Sequence, residues 1–470
     1  MACESGVSRG ISEISVILGM LPGCSIAIGE FMRVLFTPLP ASSHFFNLVP
    51  LAWALRAAGH EVRVAICPNM VSMVTGAGLT AVPVGDELDL ISLAAKNELV
   101  LGSGVSFDEK GRHPELFDEL LSINSGRDTD AVEQLHLVDD RSLDDLMGFA
   151  EKWQPDLVVW DAMVCSGPVV ARALGARHVR MLVALDVSGW LRSGFLEYQE
   201  SKPPEQRVDP LGTWLGAKLA KFGATFDEEI VTGQATIDPI PSWMRLPVDL
   251  DYISMRFVPY NGPAVLPEWL RERPTKPRVC ITRGLTKRRL SRVTEQYGEQ
   301  SDQEQAMVER LLRGAARLDV EVIATLSDDE VREMGELPSN VRVHEYVPLN
   351  ELLESCSVII HHGSTTTQET ATVNGVPQLI LPGTFWDESR RAELLADRGA
   401  GLVLDPATFT EDDVRGQLAR LLDEPSFAAN AALIRREIEE SPSPHDIVPR
   451  LEKLVAEREN RRTGQSDGHP

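Results

Sequence analysis

Basic residues are in short supply: of 470 residues, 46 are Lys or Arg and 70 are Asp or Glu, leaving a formal net charge of −24. A protein that coats nucleic acid needs basic stripes to release counterions from phosphate, so that class is excluded, and the negative charge serves solubility. The six cysteines (Cys3, Cys24, Cys67, Cys165, Cys280 and Cys356) include no CxxC pair. Their scatter speaks against a zinc site or disulfide framework and fits reduced thiols in a cytoplasmic protein. No apolar run reaches the roughly 20 residues that span a bilayer, so no membrane partner is expected. P-loop and HExxH strings are missing, which removes the main support for ATPase and zincin chemistry. A GxSxG string at Gly6 has no strand before it, and a GxGxxA string at Gly76 precedes a strand instead of following one. Neither has the setting its chemistry requires.

What is present is a composition able to build a core, with 43% hydrophobic residues, in a chain long enough for two domains. The stretch from Ile11 to Ile28 is mildly apolar but interrupted by Glu13 and Pro22, a poor signal peptide. Met32 immediately precedes a clean strand pattern, so residues 1–31 are expected to be a disordered leader. From there MRVLFTPL reads as a buried strand, FFNLVPLAWALRAAG as a helix ending at Gly59, VRVAIC as a second strand and PDLVVW as another. After the proline-rich stretch at Val258 to Pro277, the strands RVCIT, EVIATL, VRVHEYV, VIIHH, QLILP and GLVL alternate with helical patterns. This predicts two doubly wound α/β domains with parallel sheets. The expected boundaries are 32–257, a linker at 258–277, a second domain at 278–440, a final helix at 441–459 and a disordered tail at 460–470.

The richest run is HHGSTTTQETATVNGVP, from His361 to Pro377. An apolar strand delivers two histidines, Gly363 and four hydroxylated residues to the start of a helix, the outline of an anion site with free amides and a helix dipole. His362, Ser364, Thr366 and Thr367 would face phosphate. A helix merely capped by Ser and Thr has the same appearance. The next strand and loop place Asp387 and Glu388 at a neighbouring carboxyl end, where open α/β sheets bind ligands. Carboxylates suit hydroxyl recognition, and a nucleotide sugar carries both groups. His44, in the loop after the first strand, is a candidate general base, with a surface histidine as the alternative. Asp161 ends a strand, where it could orient His44 or cap the next helix. The segments 85–153 and 188–241 are weakly periodic yet apolar, and supply Met147, Trp190 and Phe195 as candidates for a greasy acceptor cleft or for loop packing.

These motifs resemble the donor signature of inverting, metal-independent glycosyltransferases of the GT-B architecture, which reads HHGGxGT, then GVP, then an Asp-Gln pair. Here Ser364 and Thr366 stand at the usual glycines and Glu388 at the Gln. The stretches HFFNLVPLAWALRAAGHEV, GQATIDPIPSWMRLP, MRFVPYNGPAVLPEWL and VHEYVPLNELL resemble one branch, the deoxysugar transferases of macrolide and polyketide antibiotic assembly. The resemblance covers Met32 to Glu459.

It implies that His44 is the base and Asp161 its orienting partner. It also implies that Gly284 forms a turn at the donor phosphates, with Arg283 beside it to pair phosphate or stay solvated, and that Tyr346 and Val347 hold the nucleobase, with backbone groups doing the reading. A dTDP-deoxysugar, with rhamnose the sugar implied, would be the co-substrate, a large apolar polyketide aglycone the acceptor and a homodimer the assembly. No cofactor or metal is implied. The Asp-x-Asp strings at Asp128 and Asp249 read as solvated loops. A silent partner subunit or a nucleotide-sugar 2-epimerase is the alternative; the former should lack His44 or His362, and both are present.

Overall fold

A computed structural model describes residues 31–90, 136–284, 301–383 and 387–464. The leader up to residue 30, part of the segment 85–153 and the tail from 465 lie outside the described residues. Two parallel sheets organise the chain. In the first, β1 (Arg33–Thr37), β2 (Glu61–Ile66), β3 (Ala81–Pro83), β4 (Leu157–Asp161), β5 (Arg177–Met181), β6 (Thr236–Asp238) and β7 (Tyr252–Ser254) run in the order β3-β2-β1-β4-β5-β6-β7. In the second, β8 (Arg278–Thr282), β9 (Glu321–Thr325), β10 (Val341–His344), β11 (Val358–His361), β12 (Gln378–Ile380) and β13 (Gly401–Val403) run in the order β10-β9-β8-β11-β12-β13. Helices flank both sheets, so the central strands β4, β8 and β11 are buried along their whole length. That is why they read as unbroken apolar runs and not as alternating ones.

Around the first sheet lie α1 (Ser42–Ala57), α2 (Asp140–Trp153), α3 (Ser166–Leu174), α4 (Val187–Glu200) and α5 (Pro210–Ala220). Around the second lie α6 (Ser301–Ala316), α7 (Thr365–Val373), α8 (Glu388–Asp397), α9 (Glu411–Asp423), α10 (Pro425–Glu439) and α11 (Val448–Gly464). The pair α9 and α10 and the strand β6 have no counterpart in the sequence-based expectation, and the final helix starts at Val448 and runs five residues past 459. That helix crosses back: Ile447, Val448, Leu451 and Val455 are buried in one cluster with Val34, Phe36, Leu51 and Val62 of the first unit. His60 Nε2 lies 3.2 Å from Glu452 Oε1, and Arg450 pairs with Asp251, so that one Asp-x-Asp string ends in an ion pair.

Strand order reverses direction between β1 and β4 and again between β8 and β11. Such switch points open a crevice at the carboxyl ends of the strands. The two crevices face a common space, because loops from both carboxyl ends meet: the Leu185 amide, after β5, donates to Asp387 Oδ2, after β12, at 2.8 Å. A shared apolar cluster joins the units there, with Leu185, Leu191 and Phe195 packed together with Ile380, Leu395 and Ile434.

Candidate active site

At the first switch point, β1 ends at Thr37 and α1 starts at Ser42, so His44 sits in the opening turn of the helix. Its neighbour strand β4 ends on Asp161. His44 Nδ1 lies 2.7 Å from Asp161 Oδ2, with the side chains 17% and 2% exposed. The carboxylate is held on its other oxygen, where Oδ1 accepts the Met163 amide at 2.9 Å. The Met163 carbonyl in turn lies 2.6 Å from Nδ1 of buried His136. Burial, first, holds the His136 pKa down, against the opposing influence of that carbonyl and of Asp161. A fixed carboxylate at Nδ1 favours the tautomer with its proton there, which leaves the lone pair on Nε2, the state a general base needs. Sequence reasoning missed His136, since its support passes through a backbone carbonyl.

The second switch point builds the loop expected to hold the donor. Gly284 follows β8 at φ +71, and a Cβ there would lie 3.0 Å from His362 Cε1. Only glycine combines that left-handed turn with so close an approach. Gly363, at φ +92, breaks the strand and leads to Ser364, which precedes α7. No acidic residue lies in the first turn of α7, so its positive end is not neutralised locally. Ser364 Oγ donates to Thr367 Oγ1 at 3.0 Å, and the Thr366 carbonyl accepts from Thr370 Oγ1 at 2.6 Å.

The two histidines divide their tasks. His361 is buried between Gln378 Oε1, 2.8 Å from Nε2, and the Gly363 amide, which donates to Nδ1 at 3.0 Å. Its pKa is pushed down to about 4, chiefly by burial, so it stays neutral and shapes the loop. His362 points to Gly284, with Nε2 4.0 Å from Glu388 Oε1. Glu388 Oε2 accepts the Gly383 amide at 3.0 Å.

Several expected site residues sit differently. Arg283 is buried, not solvated, and Glu330 Oε1 takes its Nη1 at 3.0 Å. Val347 is buried, packed with Leu352, Ile359 and Ala371, whereas Tyr346 is exposed and donates through its hydroxyl to the Asn261 carbonyl at 2.6 Å. Asp387 does not offer itself to a sugar hydroxyl: it is 1% exposed, forms an ion pair with Arg391 and accepts the Leu185 amide. Met147 is buried with Leu146, Ala150 and Val158 beneath the first sheet, and Phe195 lies in the cluster joining the units. Both are core and not acceptor surface: the first sheet covers Met147, and the helices and loops of the joining cluster cover Phe195. Trp190 is half-buried at the edge of the latter cluster.

Glu369, in α7, also escaped the sequence reading. It is wholly buried, and neither carboxylate oxygen has a hydrogen-bond partner among the described residues. Burial pushes its pKa up to about 7, with Arg391 pulling down and Asp387 and Asp238 pushing up. Unfolded, the group titrates near pH 4.3. The folded chain therefore holds a proton that the unfolded chain has lost, and the resulting stability is full at acid pH and fades as pH rises through 7. Glu369→Gln should abolish that part of the pH dependence and exceed the wild type in stability at pH 8 by on the order of 3 kcal/mol. Denaturant unfolding of both proteins between pH 5 and 8 checks it; parallel curves would refute it.

The N-terminal domain model of the erythromycin biosynthesis protein CIII-like family matches residues 53–284, and its C-terminal domain model matches residues 309–454. The chain belongs to this glycosyltransferase family. The family serves macrolide and polyketide antibiotic pathways with deoxysugar transfer, and its members share the GT-B fold of two Rossmann-like domains seen here. Aclacinomycin-T 2-deoxy-L-fucose transferase of Streptomyces galilaeus is 45% identical over 438 residues, covering 91% of this chain and 97% of that protein. The solved spinosyn forosaminyltransferase SpnP is 88% identical at a TM-score of 0.78, covering 90% of this chain and 99% of its own. The spinosyn rhamnosyltransferase SpnG, also solved with thymidine diphosphate and with spinosyn aglycone, is 27% identical at a TM-score of 0.66, covering 90% and 100%. Within the spinosyn enzymes the likeness thus runs far more to the forosaminyl than to the rhamnosyl transferase. Among the described residues, no helix is long and apolar enough to cross a membrane.

Proposed function

We propose that this glycosyltransferase moves an aminodeoxysugar of the forosamine type, not rhamnose, from dTDP to a hydroxyl of a spinosyn-type polyketide, with inversion and without a metal. The 88% identity to a forosaminyltransferase supports the sugar, and the His44–Asp161 pair at 2.7 Å carries the mechanism. His44 Nε2 takes the proton of the acceptor hydroxyl. The acceptor oxygen bonds to the anomeric carbon as the bond from that carbon to the diphosphate oxygen breaks, and the electron pair leaves with the diphosphate. Its charge is met by His362, by the hydroxyls of Ser364, Thr366 and Thr367 and by the amide end of α7. Gly284 gives the diphosphate room, the backbone at Tyr346 and Val347 meets the base, and Glu388 faces the sugar.

Incubation of the full chain with a spinosyn-type aglycone and dTDP-linked forosamine or rhamnose, with products read by mass spectrometry, tests the reading. The aminosugar product should dominate, with kcat/KM about tenfold or more above that for rhamnose. Transfer of rhamnose alone would overturn it.

A further inference from the structure

The carboxylate of Asp387 and the guanidinium of Arg391 lie between the donor loop and the first domain. Arg391 is fully buried and reaches three groups at once. Its Nη2 donates to the Gly363 carbonyl at 2.8 Å, its Nη1 donates to Gln368 Oε1 at 2.9 Å, and its Nε lies 2.9 Å from Asp387 Oδ2. Gln368 returns a bond to the Arg391 carbonyl at 3.1 Å. The guanidinium therefore fixes the carbonyl of the residue that turns the strand into the phosphate-binding helix. The same oxygen of Asp387 that faces Arg391 accepts the Leu185 amide, which belongs to the other domain. A charge buried in this way keeps its partner, because the lone ion would be strongly destabilised.

We propose that Arg391 and Asp387 form a latch between the domains. Arg391 positions the diphosphate loop through Gly363, and Asp387 ties that loop to the first domain through Leu185, so that binding of the donor diphosphate and seating of the domains are one event. Asp387 is then a positioning residue and not a sugar ligand. The proposal rests on the donor reading only for the identity of the diphosphate. Because the coupling is thermodynamic it is reciprocal: what tightens one side tightens the other.

The test uses the full chain and dTDP itself, which has no sugar. In the wild type, dTDP should slow hydrogen exchange at the Leu185 amide. Asp387→Asn and Arg391→Lys should each raise the dTDP dissociation constant about tenfold, the scale of losing a bond to a charged group, and remove the dTDP effect at Leu185. A direct sugar ligand behaves otherwise. If Asp387→Asn binds dTDP as the wild type does and only raises KM for the dTDP-sugar, the latch is wrong. Wild-type exchange at Leu185 that ignores dTDP overturns it as well, with no variant needed should either fail to fold. Wild-type chain that binds a different nucleoside diphosphate in preference revises the donor reading, and the Leu185 measurement made with that nucleotide decides the latch by the same outcomes.

Discussion

Replacing His44 with Ala is expected to lower kcat by about a hundredfold to ten-thousandfold, the range for removing a general base, while dTDP binding stays near that of the wild type. The separation follows from the fold. His44 stands at the switch point of the first sheet and the proposed diphosphate site at that of the second, so His44 can be replaced without touching Gly284, Gly363 or α7. Steady-state turnover and calorimetric dTDP titration of the same preparation check both halves. Wild-type kcat in the variant would remove His44 from the mechanism.

Asp161→Asn should be nearly as damaging, and more so than Asp161→Ala. The Met163 amide already claims one oxygen of Asp161. In the Asn variant that amide selects the carbonyl oxygen, which leaves the NH2 group facing His44 Nδ1. The ring must then accept at Nδ1 and carry its proton on Nε2, where it has no lone pair for the acceptor hydroxyl. A wrong tautomer of this kind costs about ten-thousandfold in a Ser-His-Asp hydrolase. Ala imposes no tautomer and should cost about tenfold to a hundredfold. Equal losses in the two variants would show that Asp161 acts by its charge and not by fixing the proton.

The parts legible in the sequence are those whose physics is local. RVCIT became β8 at Arg278–Thr282, because a strand covered on both faces announces itself as an apolar run. The partnership of His44 and Asp161 was accessible because Asp161 ends β4 and His44 opens the helix that follows the neighbouring β1, so both stand at the first switch point. Arg391 was not accessible. In ESRRAELL it looks like one of several solvated charges on a helix, and its burial depends on Gly363, 28 residues earlier, and through Asp387 on Leu185, 202 residues before that. Met147 and Phe195 failed for a related reason: apolar content records that a residue is covered, and says nothing of what covers it.

The return of α11 to the first sheet makes that domain discontinuous in the gene. A recombination event with one crossover in the linker exchanges the second Rossmann unit together with the helix that covers Val34, Phe36 and Leu51 of the first. The resulting hybrid pairs one parent's core with another parent's lid over it, and Ile447, Val448, Leu451 and Val455 meet a surface they did not evolve on. Productive domain shuffling in this architecture therefore takes two crossovers, the second just ahead of Ile447, and exchanges an internal cassette instead of a half.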